Sequence, residues 1–237
     1  MHLPNRFSDT ALVLFTRTSA EEVQVKNFVP QGTITQQLAV AEKLIQQGQQ
    51  VLAATGLPYF IYSSSAQKGD NFGQRLQNVF ADLFSQGFEQ VIVIGNDCPE
   101  LKPTDILRAA HQLLQQEVVV GPDSSGGVYL LGLTKTAFNQ PAIFENIRWN
   151  TAWVLTDIAT AFNIATPDLI FLKQYTDINT SRDFVKALQQ KLFRSNLLRY
   201  FRLLLNQLTT WWQLPHESLI SFFIFPGLAL RGPPALN

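Results

Sequence analysis

The chain holds one cysteine, one methionine and three histidines in 237 residues, and only 15% of its side chains are charged. Each shortage excludes something. A lone Cys98 rules out an internal disulfide framework and a cysteine-rich zinc site. His2, His111 and His216 are isolated, so no histidine pair has metal-ligand spacing and none is placed as a base. Basic and acidic residues balance at 18 each, a formal net charge of +0, which argues against a nucleic-acid partner. Long apolar runs are missing too, with no window of the roughly 18 uninterrupted apolar residues that a spanning helix needs. The opening MHLPNRFSDTALVLF lacks the basic, apolar, small-residue order of a secretory signal, so the expected location is cytoplasmic.

What is abundant is apolar side chain, 46% of the total, which indicates a well-buried globular chain. The neutral total conceals a shift near position 181. Ser181–Asn237 carries Arg182, Lys186, Lys191, Arg194, Arg199, Arg202 and Arg231 against Asp183 and Glu217 alone, leaving the rest net acidic. We read a main domain over 1–190 and a helical, apolar C-terminal extension or docking segment over 191–237.

Strand and helix signals alternate along the main domain. Ala11–Thr16 is a continuous apolar run of the kind buried on both faces of a sheet. Gly32–Gln50 has helical spacing, Pro58–Ser63 reads as a strand, and Phe72–Gln86 is again helical. Gln90–Ile94 is a strand, Lys102–Gln116 a helix opening at Pro103, and Val118–Val120 and Tyr129–Leu133 are strands around a glycine loop. A helix around Val154–Phe162, a short strand at Ile170–Leu172 and a helix capped by Thr180 with Asp183 follow. Phe184–Leu214 reads as a long amphipathic helix or a pair of helices. This alternation predicts an α/β fold, a mostly parallel sheet sandwiched by helices, with ligands beyond the carboxyl ends of the strands.

Candidate site residues collect at those ends. Asp97 follows a buried strand directly, where one carboxylate can begin a Mg²⁺ site completed by substrate phosphates, or can simply cap the turn. In Gly121–Gly127 the glycines free backbone N–H groups for an anion or a sugar hydroxyl, or else serve a plain hairpin. Arg75, one turn into a helix behind Gly69, suits phosphate, or an ion pair with Asp70 or Asp82. Arg17 and Lys26 flank the exit of the first strand. Asp177 and Asn179 share a late turn from which a second oxygen ligand could come. Cys98 reads as a small buried residue.

Four motifs in this order carry a family resemblance: GDNFGQRL at Gly69–Leu76, GNDCPEL at Gly95–Leu101, GPDSSGGVYLLG at Gly121–Gly132 and DINTSRDF at Asp177–Phe184. Together, over roughly Ala11–Gln190, they resemble bacterial glycosyltransferase-like proteins of unknown function, of the radical-SAM-associated transferase type. That group falls in the nucleotide-diphospho-sugar transferase superfamily with the GT-A fold. The resemblance implies Asp97 as catalytic and metal-binding acid, Asn179 as the second metal oxygen, and Mg²⁺ or Mn²⁺ as cofactor. It implies Arg75, Gly126 and Gly127 as substrate-binding, with a nucleotide-sugar or nucleoside triphosphate as partner, and Arg17, Lys26, Asp123 and Ser125 are expected to bind substrate with them from their place at the same strand ends. Departures are visible as well. Ser125 stands where the family has an acid, Val128 where it has tyrosine, Asn179 where it has aspartate, and the basic Lys-Thr-Arg-Leu segment is missing.

The expected function is a metal-dependent glycosyl- or nucleotidyltransferase with a nucleotide-activated donor. The alternative is a catalytically degenerate scaffold that docks a partner through its C-terminal segment. In that segment Lys191, Arg194, Arg199 and Arg202 beside Leu198, Phe201, Leu205, Trp211 and Trp212 suit a homodimer, helix packing or peripheral membrane contact.

Overall fold

In the computed structural model, the residues described are 9–139, 144–163 and 169–206. The apolar run anticipated at Ala11 forms strand β1 (Thr10–Thr16), and its alternate side chains serve two different cores. Ala11 and Val13 point into one apolar layer, Leu12 and Leu14 into the other. A strand with both faces covered has no polar face to show, and that is why its sequence does not alternate.

Helix α1 (Ser19–Val25) follows, closed at its start by a capping box between Thr18 and Glu21. It was not foreseen from periodicity, being only two turns long. Helix α2 (Ile34–Ala53) carries a second capping box, Thr33 with Gln36, and lays Leu44, Val51 and Leu52 against the core. Strand β2 (Tyr59–Ser63), helix α3 (Phe72–Ser85), strand β3 (Gln90–Ile94) and helix α4 (Pro103–Gln112) then alternate as the pattern required. Strands β4 (Val118–Pro122) and β5 (Val128–Thr134) form a hairpin around the glycine loop. Helices α5 (Lys135–Phe138) and α6 (Val154–Asn163), strand β6 (Leu169–Phe171), and helices α7 (Ser181–Gln189) and α8 (Ser195–Asn206) complete the order.

The six strands form one sheet in the order β2-β1-β3-β5-β4-β6. All pairings are parallel except those of β5, which runs antiparallel to both β3 and β4. The sheet is therefore mostly parallel, as the alternation of elements predicts. Because β5 is reversed, its amino end lies on the same edge as the carboxyl ends of β1, β3 and β4. The exits at Thr16, Ile94 and Pro122 and the entry at Val128 meet on one rim.

The tail resolves into a pair of helices. Lys191 adopts φ 57° between α7 and α8, which stops one continuous helix. Helix α8 docks rather than projects. Phe201 and Leu205 join Phe28, Phe184 and Phe193 in a third apolar cluster beside α2, with Phe184 and Phe201 ring centroids 5.0 Å apart, edge to face. Residues 207–237, with Trp211, Trp212 and the apolar end of the expected extension, lie outside the described residues. No described helix is long and apolar enough to cross a membrane.

Candidate active site at the carboxyl edge of the sheet

The rim where these strands meet opens into a cavity of about 820 Å³. That is within the size range of small-molecule sites. Arg17, Lys26, Arg75, Asp97, Asp123, Ser125, Gly127 and Asn179 all line it, so eight of the nine residues expected from sequence are brought together. Gly126 is the exception. It takes φ +92°, and a Cβ there would meet the Ala152 carbonyl oxygen at 2.2 Å. Its role is to let the hairpin pass close under the 151–154 segment, where Leu155 N donates to its carbonyl at 2.9 Å.

The Asp123 carboxylate organises the glycine loop. It is 4% exposed, and its Oδ1 accepts from Ser125 N at 2.5 Å, Ser125 Oγ at 2.8 Å and Gly127 N at 2.9 Å. Gly127 is required for this wrap, because a Cβ on it would lie 2.6 Å from Asp123 Oδ2. The loop is a hairpin connection, as one of the two readings of it had it, and two of its N–H groups are taken by Asp123. Ser125, standing where the resemblance expects an acid, is tied back to Asp123.

Asp97 lies just past β3, held by backbone geometry to the late turn. Ile178 N donates to the Asp97 carbonyl at 2.9 Å, which draws the neighbouring Asp177 into the cavity lining. Burial, then the charges of Asp97 and Asp123 and a hydrogen bond to Asp123, push the Asp177 carboxyl well above the usual range. Burial likewise raises the Asp97 carboxyl against the pull of Lys26. Asp97 Oδ1 and Asp177 Oδ1 are buried with no hydrogen-bond partner. Two bare, buried carboxylate oxygens on one rim are chemically costly unless something positive meets them. Asn179, by contrast, is exposed at the same rim, and its backbone N–H donates to Asp183 at 3.3 Å. Of the two residues of this late turn that the sequence offered as a second oxygen donor, Asp177 is thus the one with a buried, unpartnered oxygen, and Asn179, the one the resemblance implied, is exposed.

The divalent cation that the sequence resemblance implies can be tested against this donor set. Asp97 and Asp177 fit it, offering hard oxygen ligands with unsatisfied lone pairs. Among the described residues no three His, Cys, Asp or Glu side chains gather as a complete ligand set. Asp97 and Asp177 each bring one buried, unpartnered oxygen to the cavity, and Mg²⁺ ordinarily takes one or two carboxylates and completes its shell with water and substrate oxygens.

The cations of the site are less free than the sequence suggests. Lys26 Nζ lies 2.6 Å from Asp97 Oδ2 and 3.0 Å from Glu22 Oε1, and donates to the Ile178 carbonyl at 3.2 Å. Against the desolvation that burial imposes, Asp97 and Glu22 together hold its pKa above the usual lysine value. Arg17 NH1 reaches Glu22 Oε2 at 3.2 Å. Glu22 was missed in the sequence, although its i,i+4 spacing to Lys26 on a short helix was a visible signal. Arg75 donates through Nε to the Gly69 carbonyl at 3.1 Å. Among the described residues it pairs with no carboxylate, neither Asp70 nor Asp82, and it lines the cavity. Trp149, also unforeseen, forms a wall, its indole Nε1 donating to the Phe144 carbonyl at 2.9 Å and its ring stacked on Phe144. Cys98 is buried, and burial raises its thiol well above the usual value, consistent with an inert packing residue.

The fold has a counterpart among solved structures. A crystal structure from Desulfovibrio desulfuricans G20, of a protein provisionally named a nucleotide-diphospho-sugar transferase, matches with a TM-score of 0.68 over 84% of this chain and 98% of that one, at 20% identity. More distantly, an Rv0371c homolog from Mycobacterium sp. strain JC1 matches with a TM-score of 0.41 over 77% of this chain and 96% of that one, at 14% identity, too weak to extend the assignment. No curated protein matches the chain. The family itself is set by residues 27–151, and the chain belongs to the one described as "Uncharacterized protein conserved in bacteria (DUF2064)".

Proposed function

We propose that this protein is a divalent-metal-dependent transferase that uses a nucleotide-activated donor, moving either its glycosyl or its nucleotidyl part. The observation that carries the proposal is the pair of buried, unpartnered oxygens, Asp97 Oδ1 and Asp177 Oδ1, on the rim of an 820 Å³ cavity. The fold shared with the Desulfovibrio protein, and that protein's name, support the nucleotide-sugar class. Asp97 and Asp177 would hold Mg²⁺ or Mn²⁺, with Asn179 exposed beside them. When bound, the ion supplies neutralisation of the negative charge that develops on a phosphate leaving group.

The rest of the work falls to the chain's own side chains. Arg75 directs its terminal amines toward phosphate oxygens, contacts that are both charge-assisted and directional. Trp149, packed on Phe72 and Phe144, would give the cavity an apolar wall. Gly127 keeps the hairpin close to the carboxylates and leaves room above Asp123 for a sugar or acceptor. A catalytically degenerate scaffold is the second reading, favoured by Ser125 being spent on Asp123 and by Lys26 being locked on Asp97 and Glu22.

Isothermal titration with UDP, GDP and CDP, with and without Mn²⁺, separates the two. Metal-dependent binding of at least one nucleotide is expected, and its absence with all three would leave only the scaffold reading. Asp97→Ala should abolish the metal dependence.

A further inference from the structure

We propose that Glu22 is a specificity-determining residue that withholds the two innermost cations of the cavity, so that a phosphorylated ligand binds only when it brings a divalent cation with it. The inference rests on the nucleotide reading of the cavity. Glu22 is 1% exposed, and each of its oxygens takes one cation, Oε1 the Lys26 ammonium at 3.0 Å and Oε2 the Arg17 guanidinium at 3.2 Å. A carboxylate placed between two cations of a phosphate-sized cavity neutralises the groups that would otherwise receive phosphate.

Lys26 is held on three sides by this arrangement. Its Nζ is ion-paired with Glu22 Oε1 at 3.0 Å and with Asp97 Oδ2 at 2.6 Å, and it donates to the Ile178 carbonyl at 3.2 Å. Two carboxylates thereby claim the charge that a phosphate would otherwise meet. The acids Glu22, Asp97 and Asp123 also outnumber Lys26 and Arg17 at this end of the cavity, which disfavours a bare diphosphate there. A ligand that arrives with a divalent cation supplies Asp97 with the positive charge it now draws from Lys26. That frees one ammonium donor for phosphate. Glu22 still holds Lys26 from the far side and keeps it aimed along the cavity rather than out to solvent. A purely structural ion pair would show none of this coupling, and its removal would cost stability alone.

The test compares the wild type, Glu22→Gln and the double variant Glu22→Gln/Lys26→Met by isothermal titration with pyrophosphate and with UDP, in EDTA and in Mn²⁺. In wild type, binding is expected with Mn²⁺ only. Glu22→Gln should bind both probes in EDTA at least about tenfold more tightly than wild type, the gain that one released charge-assisted contact supplies. The double variant should lose that gain. An unchanged metal-free affinity in Glu22→Gln, or a double variant that keeps the gain, overturns the proposal while metal-dependent binding by wild type leaves the nucleotide reading standing. Wild type that binds nothing with Mn²⁺ overturns both. A measurement on unaltered protein covers the case in which Glu22→Gln does not fold. The ¹⁵N resonance of the Lys26 ammonium should move when pyrophosphate and Mg²⁺ are added together and stay in place with pyrophosphate alone. A resonance that ignores both, or answers pyrophosphate alone, also overturns it.

Discussion

Asp177 and Asn179 are two positions apart, yet the turn that carries them gives them opposite surroundings. Ile178 N is fastened to the Asp97 carbonyl, so the side chain before it points toward the buried carboxylates and the one after it stays at the rim. Asp177→Asn should therefore abolish metal-dependent nucleotide binding as fully as Asp97→Asn, whereas Asn179→Ala should weaken it by less than about tenfold. Titration of Mn²⁺ with UDP on the three variants checks this, and a dominant loss at Asn179 would restore the assignment made from sequence. Gly126 carries the second prediction at this scale. Its φ of +92° and the 2.2 Å approach to the Ala152 carbonyl make Gly126→Ala destabilising by on the order of 2–3 kcal/mol, measured by urea unfolding. Gly95, with open space where its Cβ would lie, should tolerate alanine far better.

Among the elements, α6 and the loop before it decide how one wall of the cavity is held. Arg148 grips Asp157 in the first turn of α6 through Nε at 2.9 Å and NH2 at 2.7 Å, with its backbone N–H at 2.9 Å as well. The hydrogen bonds from the Arg148 side chain and backbone lower the Asp157 pKa to about 2. The folded value lies below the unfolded one, near 3.9. This contribution is thus present above about pH 4 and is lost as the pH falls through about 2. The melting temperatures of wild type and Arg148→Met should differ at pH 6 and converge toward pH 2. Helix α7 offers a packing counterpart. Phe184, fully buried among Phe28, Phe193 and Phe201, should cost about 3–5 kcal/mol when cut to alanine. Unfolding by denaturant measures that loss, and it would show that α8 is docked through this cluster.

For the molecule as a whole, the cavity joins strand ends that are far apart in sequence, so a ligand held in it would bridge separate parts of the fold. A ligand that binds only the native state stabilises it by about 2.7 kcal/mol at a hundredfold excess over Kd. For a chain of this size that raises the melting temperature by on the order of 5–10 °C. UDP with Mn²⁺ should produce such a shift, and EDTA should remove it.

Much of this was legible in the chain. The unbroken apolar runs at Ala11–Leu14 and Val91–Ile94 can sit only in strands covered on both faces. The helical stripes between them force a parallel sheet, and strand ends place Asp97 and the Gly126–Gly127 loop on its ligand-binding edge. These are local periodicities and turn requirements, which a sequence determines because each depends on near neighbours. Tertiary structure alone decided the rest. One backbone hydrogen bond across about eighty residues, Ile178 N to the Asp97 carbonyl, buries Asp177 and leaves Asn179 exposed, Ser125 is spent on Asp123, and Lys26 is ion-paired with Glu22 and Asp97. Which oxygen is left bare and which cation is left free depends on the summed distances among groups distant in sequence, and no spacing along the chain encodes that sum.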